Sequence, residues 1–92
     1  MITRTNYQML VELDKEYTPE QRGIVSMNEI YLINEKLCLD DMDVIQLRNM
    51  RDFAVMWYGQ KFDETNEMIH MDKMSAIVSV IDNKIFNKGG EV

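Results

Sequence analysis

The chain has 92 residues, of which 46% are apolar and 28% charged, and 16 Asp and Glu against 10 Lys and Arg give a net charge of −6. These values are typical of one small globular domain, so we expect a single acidic domain over residues 1–92. The negative balance argues against direct nucleic-acid binding, because phosphates repel carboxylates. A lone cysteine excludes an internal disulfide. Residues 1–10 lack a signal-peptide pattern and no apolar run is long enough to span a membrane, so we expect a reducing cytoplasm.

Two helix starts are predicted in the first quarter of the chain. The first lies at Thr5, because Gln8 follows at the spacing of a capping box. The second lies at Thr18, where Pro19 suits the first helical position and Gln21 completes another capping box.

Residues 28–39 allow two interpretations. Two short apolar runs on either side of Asn34–Glu35 resemble a β-hairpin. Against a hairpin, three sets of similar residues recur at seven-residue intervals: Gln21, Asn28 and Glu35; Arg22, Glu29 and Lys36; and Ile24, Tyr31 and Cys38. A seven-residue repeat corresponds to two helical turns and fits no strand. We therefore predict a helix and keep the hairpin as the alternative.

The third helix is predicted to follow Asp40, Asp41 and Asp43, whose negative charge complements the positive end of the helix dipole. Gly59 is predicted to end this helix. Its apolar side is expected at Val44, Leu47, Met50, Phe53, Ala54, Trp57 and Tyr58.

The loop at residues 63–66 offers several N-cap residues for a fourth helix, which Gly89 is predicted to terminate after Lys84 and Lys88. Its apolar side is expected at Met71, Met74, Val78, Ile81 and Ile85. The fold class predicted is all-α, a compact bundle of about four helices. The alternative is an α+β fold with a hairpin near residues 28–39.

Three groups of acidic residues fall at the predicted helix ends and connections. They are Glu12, Asp14, Glu16 and Glu20; Glu35, Asp40, Asp41 and Asp43; and Asp63, Glu64 and Glu67. They are interpreted either as caps, dipole partners and solvated loops, or as a surface that resembles DNA. Helical carboxylates three or four residues apart lie about 5–6 Å from one another, which is comparable with the ~3.4 Å charge spacing of a DNA strand.

Residues with catalytic or metal-binding chemistry are scarce. His70 and Cys38 are the only residues of their types, and neither has a partner at the spacing of a ligand or a base. The run Asp40-Asp41-Met42-Asp43 lacks the glycine and the distal glutamate of a calcium-binding loop. We therefore predict no catalytic residue, metal site or cofactor, and a protein that is not an enzyme.

Nine methionines are many for this length, and Met68, Met71 and Met74 recur every three residues. Methionine fills irregular cores and also forms adaptable binding surfaces, and Trp57 suits either role. Core packing is the first interpretation of these residues. The second gives the alternative function, a small helical adaptor that binds a host protein through a Met and aromatic face.

The opening segment MITRTNYQMLVELDKEYTPEQRGIVSMNEIYLINEKL, the size and the acidic balance resemble the Arn family of anti-restriction proteins of T-even-like bacteriophages. The resemblance runs along the whole chain and carries no diagnostic motif. It implies a phage early protein, dimeric, that acts in the host bacterial cytoplasm by mimicking DNA. The partners it implies are the McrBC-type restriction complex, which recognises modified cytosine, and histone-like nucleoid proteins.

The function predicted from the residues and this resemblance together is inhibition without catalysis. The acidic surface is expected to occupy the DNA-binding groove of a host protein and to compete with DNA for it. The three acidic groups are the predicted partner-binding residues. The protein is expected to be a homodimer without membrane contact.

Overall fold

A computed structural model describes residues 3–90, so the first two and last two residues of the predicted domain lie outside the described part. The described chain forms four α-helices, α1 (Asn6–Glu16), α2 (Met27–Leu37), α3 (Val44–Thr65) and α4 (Met68–Asn87), and a 3₁₀ turn at Leu39–Asp41. No β-strand occurs within residues 3–90. The all-α prediction is confirmed, and the alternative of a hairpin near residues 28–39 is wrong.

The start of α1 follows from its sequence as predicted. The Thr5 hydroxyl accepts a hydrogen bond from the Gln8 backbone N–H at 3.1 Å, and the Gln8 side chain accepts one from the Thr5 N–H at 3.0 Å. This reciprocal pair satisfies two backbone donors that the first helical turn leaves unpaired.

The predicted helix start at Thr18 is wrong, because residues 18–26 form a loop. Gly23 has a φ of +79° there, which turns the chain out of any right-handed helix. The capping box that opens α2 lies instead at Ser26 and Glu29. The seven-residue repeat correctly indicated a helix, but the helix begins six residues after Gln21.

The predicted stop at Gly59 is also wrong, because α3 continues through it to Thr65. Asn66 ends the helix in the left-handed conformation, with a φ of 58°. Asp63 and Glu64 therefore belong to the last turn of α3 and do not form a loop before α4. The start of α3 is capped by Asp43, which forms a capping box with Gln46.

The long helices α3 and α4 form an antiparallel hairpin, because only Asn66 and Glu67 connect them, and α1 and α2 pack against it. From α3 the core takes Leu47, Met50, Ala54 and Tyr58, while Val44, Phe53 and Trp57 are half-buried against it. From α4 it takes Ala76, Ile77, Val80, Ile81 and Ile85, whereas Met71, Met74 and Val78 are only half-buried. Gly89, at a φ of +84°, ends α4 as predicted.

Candidate functional site

Four of the eleven predicted partner-binding carboxylates are in ion pairs within the bundle. Glu12 pairs with Arg4, Asp14 with Lys73 at 3.0 Å, Glu16 with Lys36 at 3.3 Å, and Asp40 with Lys84. The first pair lies within α1 and the residue before its cap, whereas the other three join different elements of the fold. These four carboxylates therefore offer a partner less uncompensated charge than the sequence indicated.

Asp14 is the most firmly held of the four. Its carboxylate accepts hydrogen bonds from the Tyr58 hydroxyl at 3.0 Å and from the Lys73 ammonium at 3.0 Å. Burial, followed by the charge of Asp14, raises the pKa of Tyr58 well above its ordinary value. This network joins α1, α3 and α4 in the interior, so Asp14 acts in stability.

Asp40 lies in the 3₁₀ turn and contacts the end of α4. A hydrogen bond from Lys84, and then the charges of Lys84 and Lys88, lower the pKa of Asp40. Lys88 also donates to the backbone carbonyls of Asp40 and Met42. These contacts connect the turn to the carboxyl end of α4, and the negative charge of Asp40 is paired with the positive charge of Lys84.

The other seven predicted carboxylates are exposed and form no ion pair within the described residues. They are Glu20, Glu35, Asp41, Asp43, Asp63, Glu64 and Glu67. Asp41 and Asp43 lie at the amino end of α3, and Asp63, Glu64 and Glu67 at its carboxyl end. With 22 residues, α3 is about 33 Å long. The carboxylates therefore lie mainly at two opposite ends of the molecule, not in one compact group.

The cationic side chains offset the two acidic ends only in part. Six of the ten Lys and Arg side chains are in ion pairs within residues 3–90. The Lys61 ammonium lies 4.5 Å from the centre of the Trp57 ring, and Lys88 donates to backbone carbonyls. Most cationic side chains thus have a partner within the molecule, and six of them face a carboxylate.

Glu29 is a structurally important carboxylate that the sequence analysis treated as a polar position of a repeat. It is 4% exposed, and it accepts hydrogen bonds from the Tyr17 hydroxyl at 2.7 Å, the Ser26 N–H at 2.7 Å and the Glu20 N–H at 3.3 Å. Burial alone would raise the pKa of Glu29, but these hydrogen bonds outweigh it and the pKa is lowered. The capping-box spacing from Ser26 to Glu29, which the sequence analysis did not use, is the signal that could have identified it.

The residues considered for chemistry have structural surroundings. His70 is half-buried, and its Nδ1 has no hydrogen-bond partner among the described residues. Cys38 ends α2 in the left-handed conformation, and its thiol lies 3.8 Å from the Glu35 carbonyl oxygen. A hydrogen bond to Cys38, followed by the charge of Glu12, raises the pKa of Arg4. Within residues 3–90 no three His, Cys, Asp or Glu side chains are arranged to hold a metal ion.

The predicted Met and aromatic face is only partly a surface. Trp57 is half-buried and packs edge-to-face on Tyr58, with ring centres 4.9 Å apart. Met68 is 47% exposed. The large apolar side chains with the highest exposed fractions lie on α2, where Met27 is 78% exposed and Tyr31 is 72% exposed.

No α-helix within residues 3–90 combines the length and the hydropathy that a membrane span requires. The chain was also compared with proteins of known family, function and structure. No family model, no curated protein and no solved structure matches it.

Proposed function

We propose that the protein is a non-enzymatic DNA mimic that blocks the DNA-binding groove of a host protein. The observation that carries this proposal is the set of seven exposed carboxylates without ion pairs in the described part of the chain. A groove that binds DNA is lined by Lys and Arg, which are attracted to a carboxylate as they are to a phosphate.

The separation of the two acidic ends supports the proposal. About 33 Å lies between the ends of the 22-residue helix α3, and one turn of duplex DNA is roughly 34–36 Å long. A groove that contacts phosphates on successive turns would meet carboxylates of this molecule at both contact points.

The resemblance of the sequence to anti-restriction proteins supports the choice of partners. These are the McrBC-type restriction complex and a histone-like nucleoid protein, and the place of action is the cytoplasm of a host bacterium. A homodimer would double the net charge of −6 and so strengthen attraction to a basic groove.

A competition titration tests this function. Labelled duplex DNA is bound to a modified-cytosine restriction complex and, separately, to a histone-like nucleoid protein, and each complex is challenged with this protein at two salt concentrations. We expect the protein to displace the DNA, and less effectively at higher salt, because salt screens the attraction between exposed charges. Failure to displace DNA from either complex would contradict the proposal for these partners.

A further inference from the structure

The outer side of α4 bears an open groove of about 690 Å³. Its apolar lining consists of Val55 on α3 and of Met74, Val78 and Phe86 on α4. Among the described residues that line the groove only Asp82 is charged, and the Arg51 guanidinium pairs with its carboxylate at 2.9 Å. The groove therefore carries no unpaired charge.

Phe86 lies in the last turn of α4, at one end of this groove. It is 70% exposed, although phenylalanine is among the residues most often buried in folded proteins. An exposed aromatic ring gains free energy by entering an apolar recess, because a large apolar area leaves water there.

A recess of about 180 Å³ adjoins the groove, between α4 and the loop at residues 18–26. Ser75 and Ser79 line both the groove and the recess, so the two form one continuous surface, which we call the α4 face. The apolar lining of the recess consists of Pro19, Ile24, Val25 and Ala76. An apolar cavity of about 150 Å³ holds a benzene ring, so the recess has enough volume for the phenyl group of a phenylalanine.

Phe86 and the recess lie on the same side of α4 and are separated along the helix. Ser75 and Ser79 precede Phe86 by eleven and seven residues, a rise of about 16 and 10 Å in an α-helix. A two-fold axis that crosses α4 at right angles midway between them places the Phe86 of each copy over the recess of the other. Two identical contacts then form at once, as in the isologous interfaces of most dimers. Because the α4 face holds both halves of this contact, it is complementary to a second copy of itself.

The charges of the α4 face are compatible with a second copy. Arg22 and Asp72 at the recess pair with each other at 3.2 Å. Within the described chain, none of the exposed carboxylates that lack an ion pair lines the groove or the recess. Two chains that each carry a net charge of −6 can therefore meet here without placing unpaired carboxylates against each other, whereas the acidic ends of α3 repel a second copy.

The midpoint between Phe86 and the recess falls near Asp82 and Asn83. Asn83 is exposed and lines the groove. Its side-chain amide can both donate and accept a hydrogen bond, so the Asn83 amides of two copies can pair with each other across the axis.

The area of the α4 face fits a weak dimer. With 20 residues, α4 is about 30 Å long, and a contact two helices wide covers roughly 20 Å more in the other direction. Each copy would thus bury roughly 600 Å², and the total of about 1,200 Å² lies at the lower end of specific interfaces. We therefore expect a dimer that dissociates on dilution.

We propose that two copies of this chain associate through the α4 face, with the Phe86 side chain of each copy in the recess of the other. The proposal rests on the proposed function only for its homodimer, to which it gives an interface. The two copies of α3 are then antiparallel. Each end of the dimer therefore combines the amino-end carboxylates of one α3 with the carboxyl-end carboxylates of the other.

Sedimentation of the full-length protein over a series of concentrations tests the proposal. The parent should show an equilibrium between monomer and dimer. Phe86→Ser and Ile24→Ser should each weaken dimerisation at least about tenfold. Their effects should not add in the double variant, because the two side chains belong to one contact. Ile45→Ser is the matched control, since Ile45 is 70% exposed but lines neither the groove nor the recess.

A cross-linking experiment tests the position of the two-fold axis. In a Cys38→Ser background, Asn83→Cys should form a disulfide-linked dimer under mild oxidation, because a residue at the axis meets its own copy. Asn49→Cys, at an exposed position of α3, is the control and should remain monomeric on a non-reducing gel.

Three results would overturn the proposal: a parent that is monomeric at every concentration, equal losses for Ile45→Ser and Phe86→Ser, or cross-linking of Asn83→Cys no faster than that of Asn49→Cys. Both experiments use neither DNA nor a host protein. Their failure is therefore distinct from a failure of the competition titration, which a monomer could still pass.

Discussion

At the scale of single residues, Glu29 shows how one buried side chain organises a loop. Its two carboxylate oxygens accept hydrogen bonds from Tyr17 and Glu20 on one side and from Ser26 on the other. These contacts hold both ends of the loop at residues 18–26, which has no helix or strand of its own. The placement of this loop therefore depends largely on one ionised group.

Replacing Glu29 by glutamine is expected to lower the free energy of unfolding by about 1–3 kcal/mol. Glutamine has nearly the same shape as glutamate, but its NH₂ group is a hydrogen-bond donor. It would face at least one of the donors that now bind the carboxylate, and that hydrogen bond would be lost. Urea denaturation of the variant measures this loss. Glu35→Gln is the matched control on the same helix, because Glu35 is exposed and unpaired within the described residues. It should change stability by less than about 0.5 kcal/mol.

A comparison of the parent protein with Glu29→Gln also gives a test by pH. The pKa of Glu29 is lowered in the fold, so its contribution to stability is present above the unfolded value of about 4.3 and is lost as the pH falls through the folded pKa. The parent should lose stability in acid more steeply than Glu29→Gln. Parallel acid titrations of the two proteins would contradict this role.

Two buried tyrosine hydroxyls are expected to make the stability of the protein depend on pH in the alkaline range. Burial raises the pKa of both Tyr17 and Tyr58, and the neighbouring carboxylates Glu29 and Asp14 raise it further. A raised folded pKa means that stability is present below the unfolded value of about 10 and is lost as the pH rises above it.

We expect Tyr58→Phe to make this alkaline loss shallower by about 1.4 kcal/mol per pH unit, the value for one proton. Chemical denaturation between neutral and strongly alkaline pH measures the slope. Tyr31→Phe, at an exposed position, is the control variant. An unchanged slope for Tyr58→Phe would show that another group governs alkaline unfolding.

At the scale of the elements, the local sequence predicted the existence of the helices more accurately than their first and last residues. The capping box at Thr5 is complete within four residues, and it was identified correctly. Thr18 has an equally good local signal for a helix start. However, Glu29, eleven residues further along, accepts hydrogen bonds from Tyr17 and Glu20, and the chain between them is a loop. Gly59 is a typical helix stop, yet α3 continues through it to Thr65, and the helix as a whole packs extensively against α4.

Two glycines with opposite roles give a matched test of these element boundaries. Gly59→Ala should stabilise the protein by about 0.5–1 kcal/mol, because Gly59 is helical and an added Cβ meets no atom within 4 Å. Gly23→Ala should destabilise it by roughly 1–2 kcal/mol, since a φ of +79° strains any residue with a Cβ. Thermal unfolding compares the two, and the same sign for both variants would contradict the assigned helix ends.

At the scale of the whole molecule, the sequence identified the candidate carboxylates but not their partners. Asp14 pairs with Lys73, 59 residues away, and Asp40 with Lys84, 44 residues away. Such pairs depend on how the helices cross, and no local spacing indicates them. The exposure of Met27 and Tyr31 was equally hidden, because apolar helical residues are usually expected in a core.

Neutralising either acidic end should weaken the proposed competition with DNA. The double variants Asp41→Asn/Asp43→Asn and Asp63→Asn/Glu64→Gln each remove two negative charges, and asparagine can still cap α3 at residue 43. We expect a loss of at least about tenfold for each, because a groove that spans both ends contacts both groups. The competition titration at low salt measures it.

The control for this experiment alters the net charge equally at other positions. Asn49→Lys/Met56→Lys adds two positive charges at exposed sites of α3 between its two ends, and it should weaken competition no more than about threefold. An equal effect of all three double variants would show that net charge alone matters and that the spacing of the two ends does not.

The hairpin of α3 and α4 also affects how the chain acquires its fold during synthesis. Helix α1 is made before α3 and α4, but Asp14 near its end docks on Tyr58 and Lys73, which lie 44 and 59 residues later. The apolar side chains Met9, Leu10 and Leu13 belong to a helix that packs chiefly on α2, which is synthesised directly after α1, whereas the ion pair of Asp14 with Lys73 must await α4. On the ribosome, α1 and α2 can therefore associate before the hairpin of α3 and α4 is complete, and Asp14 meets its two partners last.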